Sequence, residues 1–177
     1  MAGPIEIDVW QGEIAELEVD ALVVGANESL FMTAGPAASV RRHGGEVIER
    51  AAVAQGPVRP GEAVATEAGS LAAAYVIHAV GVSHDRIADR ERLIAAIRSA
   101  LAFAEPLQLR RIAFALIGTE HGVFSAADAA EILLDELTPE SGPAAPSMPE
   151  SIVVATSNAS ETNAAGEALA RRRARVT

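Results

Sequence analysis

The sequence predicts an α/β fold in which helices cover both faces of a central sheet. Two uninterrupted apolar runs, at residues 21–24 and 112–117, indicate strands that are buried on both faces, the second within a predicted strand at residues 111–117. The clearest helix covers residues 86–105, where Leu93, Ile97 and Leu101 lie on one stripe. Strand and helix patterns alternate along the chain, and this alternation is typical of a sheet packed between helices.

The remaining elements are predicted from the spacing of apolar residues and from the turn-forming residues between them. Residues 5–10 alternate apolar and polar side chains, which indicates a strand near a sheet edge. Further strands are predicted at residues 62–66, 75–80 and 151–155, and further helices at residues 36–43, 46–55, 125–137 and 160–173. Residues 138–149 contain four prolines and predict an exposed loop, and residues 171–177 form a basic C-terminal tail that we expect to fray into solvent.

Composition limits the classes of function. A length of 177 residues fits one domain, which we place at residues 1–177. The absence of cysteine excludes disulfides and thiolate chemistry, and we predict neither a metal site nor a cofactor. A net charge of −10 disfavours nucleic acid as the main ligand. No segment is long and apolar enough for a membrane span, so we expect a cytoplasmic protein.

One stretch predicts the position of a binding site. The aliphatic strand that begins at Ala21 ends at Asn27, a loop with Gly35 follows, and Pro36 stands where a helix should begin. A strand followed by a small-residue loop and a helix N-terminus presents backbone N–H groups and a positive dipole end to an anion. We therefore expect a phosphate-bearing small molecule at the carboxyl ends of the central strands.

Other polar residues have simpler interpretations. His78 lies between apolar neighbours in a predicted strand and is expected to be a buried core histidine. His84, Asp85 and Asp89 could be drawn as a metal cluster, but their mixed spacing favours a solvated surface. His121 either pairs with a neighbouring carboxylate or is an exposed loop residue, and we favour the second.

Several short motifs follow one another along the chain: Gly-Glu-Ile at 12–14, Val-Asp-Ala-Leu-Val-Val-Gly-Ala-Asn at 19–27, Leu-Phe-Met-Thr-Ala-Gly at 30–35, Gly-Glu-Ala at 61–63 and Tyr-Val-Ile-His-Ala-Val-Gly at 75–81. In this order and spacing they resemble the macrodomain family, whose members bind ADP-ribose or its derivatives. The resemblance covers roughly residues 5–169. It implies a three-layer α/β/α fold with a mixed, mostly parallel sheet.

The resemblance also implies roles for particular positions. Glu13, next to Ile14, matches an Asp that accepts from the adenine amino group, and Asn27 matches an Asn that contacts the distal ribose. Phe124 matches an aromatic residue that packs on the ligand. The final strand would close the adenine side at Ser157 and Asn158. Backbone N–H groups of two loops would hold the diphosphate, and these loops comprise Thr33, Ala34, Gly35 and Pro36, and Gly118, Thr119, Glu120, His121, Gly122, Val123 and Phe124.

The chain departs from the family pattern in both loops. Thr33 and Ala34 stand where many relatives have glycines, which makes positive φ harder there, and Pro36 offers no N–H group. In the second loop Glu120 replaces a glycine. A carboxylate about 4 Å from one phosphate charge costs about 4 kcal/mol at an effective dielectric constant of about 20, before screening. That is about three decades of affinity if Glu120 points inward, and almost nothing if it points to water.

Three hypotheses about function follow. The first is a macrodomain that binds ADP-ribose, an ADP-ribosylated molecule or a related nucleotide diphosphate. The second is a hydrolase of ADP-ribosyl or O-acyl-ADP-ribose linkages in which Asn27 orients water. Ala37 stands near the place where active relatives have an Asp, which argues against it. The third is a diverged macrodomain that has lost nucleotide binding and serves as an interaction module.

Overall fold

The computed structural model describes residues 5–138 and 149–176. Six strands are formed, β1 Glu6–Gln11, β2 Ala21–Gly25, β3 Ala63–Glu67, β4 Tyr75–Ala79, β5 Arg111–Ala115 and β6 Ser151–Thr156. The helices in these residues are α1 Gly35–Gly44, α2 Glu46–Val53, α3 Arg90–Leu101, α4 Ala126–Leu137 and α5 Ala159–Val176. Short 3-10 turns lie at Ile14–Glu16 and Glu120–Gly122.

The strands form one mixed sheet in the order β1-β6-β5-β2-β4-β3. Every pairing is parallel except that between β3 and β4. The mostly parallel sheet expected from the family resemblance is therefore confirmed, and β1 lies at an edge as its alternating pattern predicts. Because β2 and β5 are adjacent and parallel, the loops that follow them leave from the same edge of the sheet.

Two apolar clusters cover the two faces of the sheet. On one face, Leu93 and Ile97 of α3 pack with Leu133 of α4 and Ala165 of α5. On the other face, Val40 of α1 and Ile48 of α2 pack against β2 and β4. The helices thus form an outer layer on each side, and the predicted three-layer arrangement is confirmed.

Two predicted elements are longer than the observed ones. The predicted helix 86–105 begins only at Arg90, because the Asp89 side chain accepts from the Arg92 N–H group and caps the first turn. The predicted strand 111–117 ends at Ala115, where the Ile117 N–H group turns back to the Ala115 carbonyl. Apolar residues continue past the last residue of β5 that pairs with a neighbouring strand, so hydrophobicity alone does not show where the strand ends.

The structure corrects the prediction that the basic C-terminal segment frays into solvent. Residues through Val176 are helical, and Arg172 is only 7% exposed. Its guanidinium contacts the carboxylates of Glu131 and Asp135 on α4, so part of the expected tail holds α5 against α4. The sequence shows the arginines but not the facing carboxylates. The proline-rich loop predicted at residues 138–149 lies, apart from its two end residues, outside the described part of the chain.

His78 lies in the core, as predicted. It is fully buried in β4, and its Nε2 atom lies 3.0 Å from the Thr66 hydroxyl oxygen. Burial lowers its pKa to about 4, so the ring is neutral at physiological pH. Within the described residues no helix has the length and apolarity needed to cross a membrane.

Candidate functional site

Two cavities lie side by side along the carboxyl edge of the sheet, where β2, β5 and β6 end beside α1. Their volumes are about 460 and 470 Å³, each within the size range of small-molecule sites, and we treat them as the two halves of one groove. We call them the Glu13 half and the Asn27 half, after one lining residue of each. Gly35, Pro36 and Ser157 line both halves, so one extended molecule could occupy the two together.

The Glu13 half contains a carboxylate held by three neighbours. Glu13 Oε2 accepts a short hydrogen bond from the Ser39 hydroxyl, lies 3.4 Å from Nη2 of Arg42, and lies 3.7 Å from Nδ1 of His43. The Ser39 hydrogen bond, with smaller contributions from Arg42 and His43, lowers the pKa of Glu13. The carboxylate is therefore a fixed anion, and the groups that fix it all lie on α1.

The first loop meets the groove at the N-terminus of α1. Ala34 precedes the helix with φ −148° and ψ 162°, an extended conformation that any residue adopts, and the positive φ falls on Gly35. The non-glycine residue at 34 therefore causes no strain. Unlike α3 and α4, α1 has no capping side chain. Within the described residues the N–H groups of Gly35 and Ala37 find no acceptor, which leaves them available to a ligand anion.

Asn27 lies after β2 in the other half of the groove. Its Nδ2 atom donates to the Phe31 carbonyl at 3.0 Å, which fixes the orientation of the amide. Its Oδ1 atom is buried, and no donor among the described residues reaches it. An unpaired buried acceptor carries a desolvation cost that a ligand hydroxyl or amine can remove.

The second loop places Glu120 inside the same half. Glu120 Oε2 accepts from the Gly118 N–H group at 2.7 Å. A Cβ atom added to Gly25 would collide with Glu120 Oε1, so the carboxylate lies over the end of β2. Burial, and to a smaller extent the nearby Glu161, raises the pKa of Glu120, against the effect of its backbone hydrogen bonds. Glu120 therefore points inward.

The Asn27 half is also lined by Phe31, which is 52% exposed, and by Ser83, His84 and Arg86. His84 lies 3.2 Å from the Glu28 carboxylate. The neighbouring Asp85 accepts from Ser83, and this hydrogen bond, with others from the Ile87 N–H group and Arg92, lowers the pKa of Asp85 to about 2. No group of three or more potential metal ligands occurs among the residues that the structure describes.

The structure brings most of the predicted site residues into this groove. Those that line it are Glu13, Ile14, Asn27, Thr33, Ala34, Gly35, Pro36, Thr119, Glu120, His121 and Ser157. The other predicted residues do not line it: Gly118, Gly122, Val123, Phe124 and Asn158. Phe124 packs against the apolar cluster beneath the second loop, and Asn158 accepts from the Glu161 N–H group at the start of α5.

Sequence reasoning missed several lining residues, among them Phe31, Arg42, Arg86 and Glu161. Arg42 lies three residues after Ser39, and this helical spacing was a usable signal once Ser39 was placed beside Glu13. Nothing in the local sequence around Arg86 or Glu161 indicates a groove, because both approach it from segments distant in the chain.

Comparisons with known proteins agree with this geometry. A family model described as Macro domain matches residues 23–133. An uncharacterized protein of Mycobacterium tuberculosis is 36% identical over 130 residues, which are 73% of this chain and 36% of that protein. An uncharacterized protein of Pyrobaculum aerophilum is 40% identical over 126 residues, 69% of this chain and 68% of that protein. The chain thus spans about a third of the length of the mycobacterial relative.

Two solved structures are similar over most of the chain. The Oceanobacillus iheyensis macrodomain with ADP has a TM-score of 0.84 at 20% identity, covering 99% of this chain and 95% of that one. The Trypanosoma brucei macrodomain in complex with ADP-ribose has a TM-score of 0.81 at 25% identity, covering 93% of this chain and 69% of that one.

Proposed function

Because the chain belongs to the macrodomain family, we propose that its groove binds ADP-ribose or a related nucleotide diphosphate. The observation that carries the proposal is that the two halves of the groove share Gly35, Pro36 and Ser157. Together they present a carboxylate at one end, an uncapped helix N-terminus in the middle and an unpaired amide oxygen at the other. In this order the three groups can contact a base, a phosphate and a ribose.

The Glu13 half suits an adenine base. All three described contacts of the Glu13 carboxylate use Oε2, which leaves Oε1 to accept from an exocyclic amino group. Because Ser39, Arg42 and His43 hold the carboxylate in place, a ligand does not have to immobilise it, and binding loses less side-chain entropy. Ile14 supplies a buried apolar surface next to it.

The middle and far parts suit a phosphate and a ribose. The N–H groups of Gly35 and Ala37 and the dipole of α1 favour a phosphate there. The Asn27 Oδ1 atom would then accept from a ribose hydroxyl group, which pairs an acceptor that is otherwise buried alone. The Trypanosoma brucei relative, solved in complex with ADP-ribose, is consistent with this assignment.

Calorimetric titration of the full chain with ADP-ribose at pH 6 tests the proposal. We expect saturable binding of one molecule per chain, with weaker binding of AMP because it fills less of the groove. An absence of heat at high micromolar ADP-ribose, with the chain folded by circular dichroism, would contradict it.

Asn27→Ala examines the ribose contact. Loss of one neutral hydrogen bond should weaken ADP-ribose binding about 3- to 10-fold. Asn163→Ala is the matched control, because it removes the same amide from an exposed position of α5 outside the groove. Equal affinities for the two variants, with equal thermal midpoints, would remove Asn27 from the site.

A further inference from the structure

The Glu120 carboxylate occupies the second loop as a bound anion would. It accepts from the N–H group of Gly118 and from its own backbone N–H group. Backbone N–H groups of this loop are the donors that the family resemblance assigns to the diphosphate. A side chain of the protein already uses donors that a phosphate would need.

The strand beneath the carboxylate accommodates it. Gly25 ends β2, and any side chain at this position would collide with Glu120 Oε1. Gly25 carries no side chain, and Glu120 stands where the family resemblance has a glycine. The carboxylate thus fills space that a side chain at Gly25 would need, which indicates that the inward orientation belongs to the packing of this chain.

The surroundings of the carboxylate do not neutralise it. In the described residues no arginine or histidine forms an ion pair with Glu120, and the charged group that acts on it is Glu161 at the first turn of α5. His121 lies on the same turn but is exposed, and His84 and Arg86 line the same half of the groove, where the described residues show neither of them bonded to Glu120. A phosphate entering this space would therefore meet an uncompensated carboxylate.

We propose that Glu120 is a specificity-determining residue, an internal anion that competes with the phosphates of the ligand for the second loop. The inference rests on the proposed function, since it concerns the same groove. A diphosphate binds strongly only when the carboxylate takes up a proton or leaves the loop. A protonated carboxyl group would donate to a phosphate oxygen instead of repelling it. The groove thus links diphosphate binding to proton uptake.

The test is the affinity for ADP-ribose between pH 5 and pH 8, measured by calorimetry for the parent chain and for Glu120→Gln. Glutamine keeps the shape and an acceptor for the Gly118 N–H group but carries no charge. ADP-ribose is the suitable probe because its diphosphate is a diester without an ionisation in this range. We expect Glu120→Gln to bind 10- to about 1000-fold more tightly at pH 7.5.

The pH profile gives the second readout. The affinity of the parent should rise more steeply than that of Glu120→Gln as pH falls, by up to about 10-fold per pH unit for one linked proton. Glu105→Gln is the matched control, because it removes the same charge from an exposed position outside the groove. It should change the affinity by less than about 3-fold.

The outcomes separate the two proposals. If the parent and Glu120→Gln bind with equal affinity, the specificity role is overturned while the nucleotide function stands. Equal gains in Glu120→Gln and Glu105→Gln would also overturn it, because the effect would then be one of overall charge. If the parent, Glu120→Gln and Glu120→Gly all fail to bind ADP-ribose at any pH while they remain folded, the proposed function fails and this inference fails with it.

Discussion

Two glutamates line the two halves of one groove, and their surroundings have opposite effects on the pKa of the carboxyl group. Glu13 is about half exposed, and its carboxylate receives a serine hydroxyl, an arginine and a histidine. Glu120 is inward, bonded to backbone N–H groups, and faced by a second carboxylate. The pKa of Glu13 is lowered, and the pKa of Glu120 is raised.

The difference shows how glutamate can have two opposite effects on binding within one groove. A carboxylate kept ionised by its neighbours is a dependable acceptor, and it suits the amino group of a base. A carboxylate penalised by burial is an unstable anion, and it lies where the ligand itself would carry negative charge. The first contributes to affinity at every pH above its own pKa, whereas the second opposes binding until its charge is removed.

The largest effect within this comparison is expected from Glu13→Ala. Loss of a charge-assisted hydrogen bond should weaken ADP-ribose binding about 10- to 100-fold. The inosine analogue of ADP-ribose, which has a carbonyl in place of the amino group, should bind the parent poorly and the variant no worse. Calorimetry with both ligands measures this discrimination.

Glu16→Ala controls for the lost charge, because Glu16 lies on the same 3-10 turn but outside the groove. It should leave both affinities nearly unchanged. If Glu13→Ala weakens the two ligands equally, Glu13 does not read the amino group, and the two ends of the groove do not differ in the way described.

A smaller effect is expected from Gly25→Ala, which alters Glu120 without mutating it. The added methyl group would collide with Glu120 Oε1, the end of a flexible side chain, so the carboxylate should move away from the second loop. The freed Gly118 N–H group should then tighten ADP-ribose binding about 3- to 10-fold at pH 7.5.

Gly166→Ala is the matched control, because a methyl group there enters open space on α5. In a Glu120→Ala background, Gly25→Ala should give no further gain. Weaker binding in the single variant would mean that the methyl group obstructs the ligand, and the interpretation of Gly25 as space for Glu120 would be wrong.

Much of the fold could be predicted because its signals are local. The continuous apolar runs of β2 and β5 and the stripe on α3 each need only a short window of sequence. The strand order could not be obtained that way, since it depends on which strands meet after long crossovers. Only the resemblance implied a mixed sheet, and the position of β3 as its antiparallel edge came from the structure.

The candidate site also has features that the local sequence predicts and features that it does not. The Asn27 turn and the start of α1 were predictable because strand, loop and helix follow one another in the chain. The direction of Glu120 was not, because it depends on the missing side chain at Gly25, a residue on another element. Arg172 illustrates the same point outside the groove, since its carboxylate partners belong to α4.

The smallest predicted effect is on stability, and it should have opposite sign at the two glutamates. The pKa of Glu120 is raised in the folded chain, so its contribution to stability is fully present below its unfolded pKa and is lost as pH rises through its folded pKa. Glu120→Gln should therefore be more stable than the parent at pH 7.5 and no more stable at pH 4. Each 1 kcal/mol would raise the thermal midpoint by about 2–4 °C in a chain of this size.

Glu13→Gln should show the reverse. Because the pKa of Glu13 is lowered, its contribution is present above the unfolded pKa and is lost only as pH falls through the lower folded pKa, so the variant should be the less stable protein at pH 7.5, and the difference should narrow towards pH 4. Thermal unfolding of both variants and the parent from pH 4 to pH 8 measures the two differences. Buried His78, with a pKa of about 4, destabilises every one of these chains alike as pH falls below about 6.5, and it cancels in the differences. If both variants were more stable than the parent at pH 7.5, or both less stable, the described difference between the two carboxylate environments would be wrong.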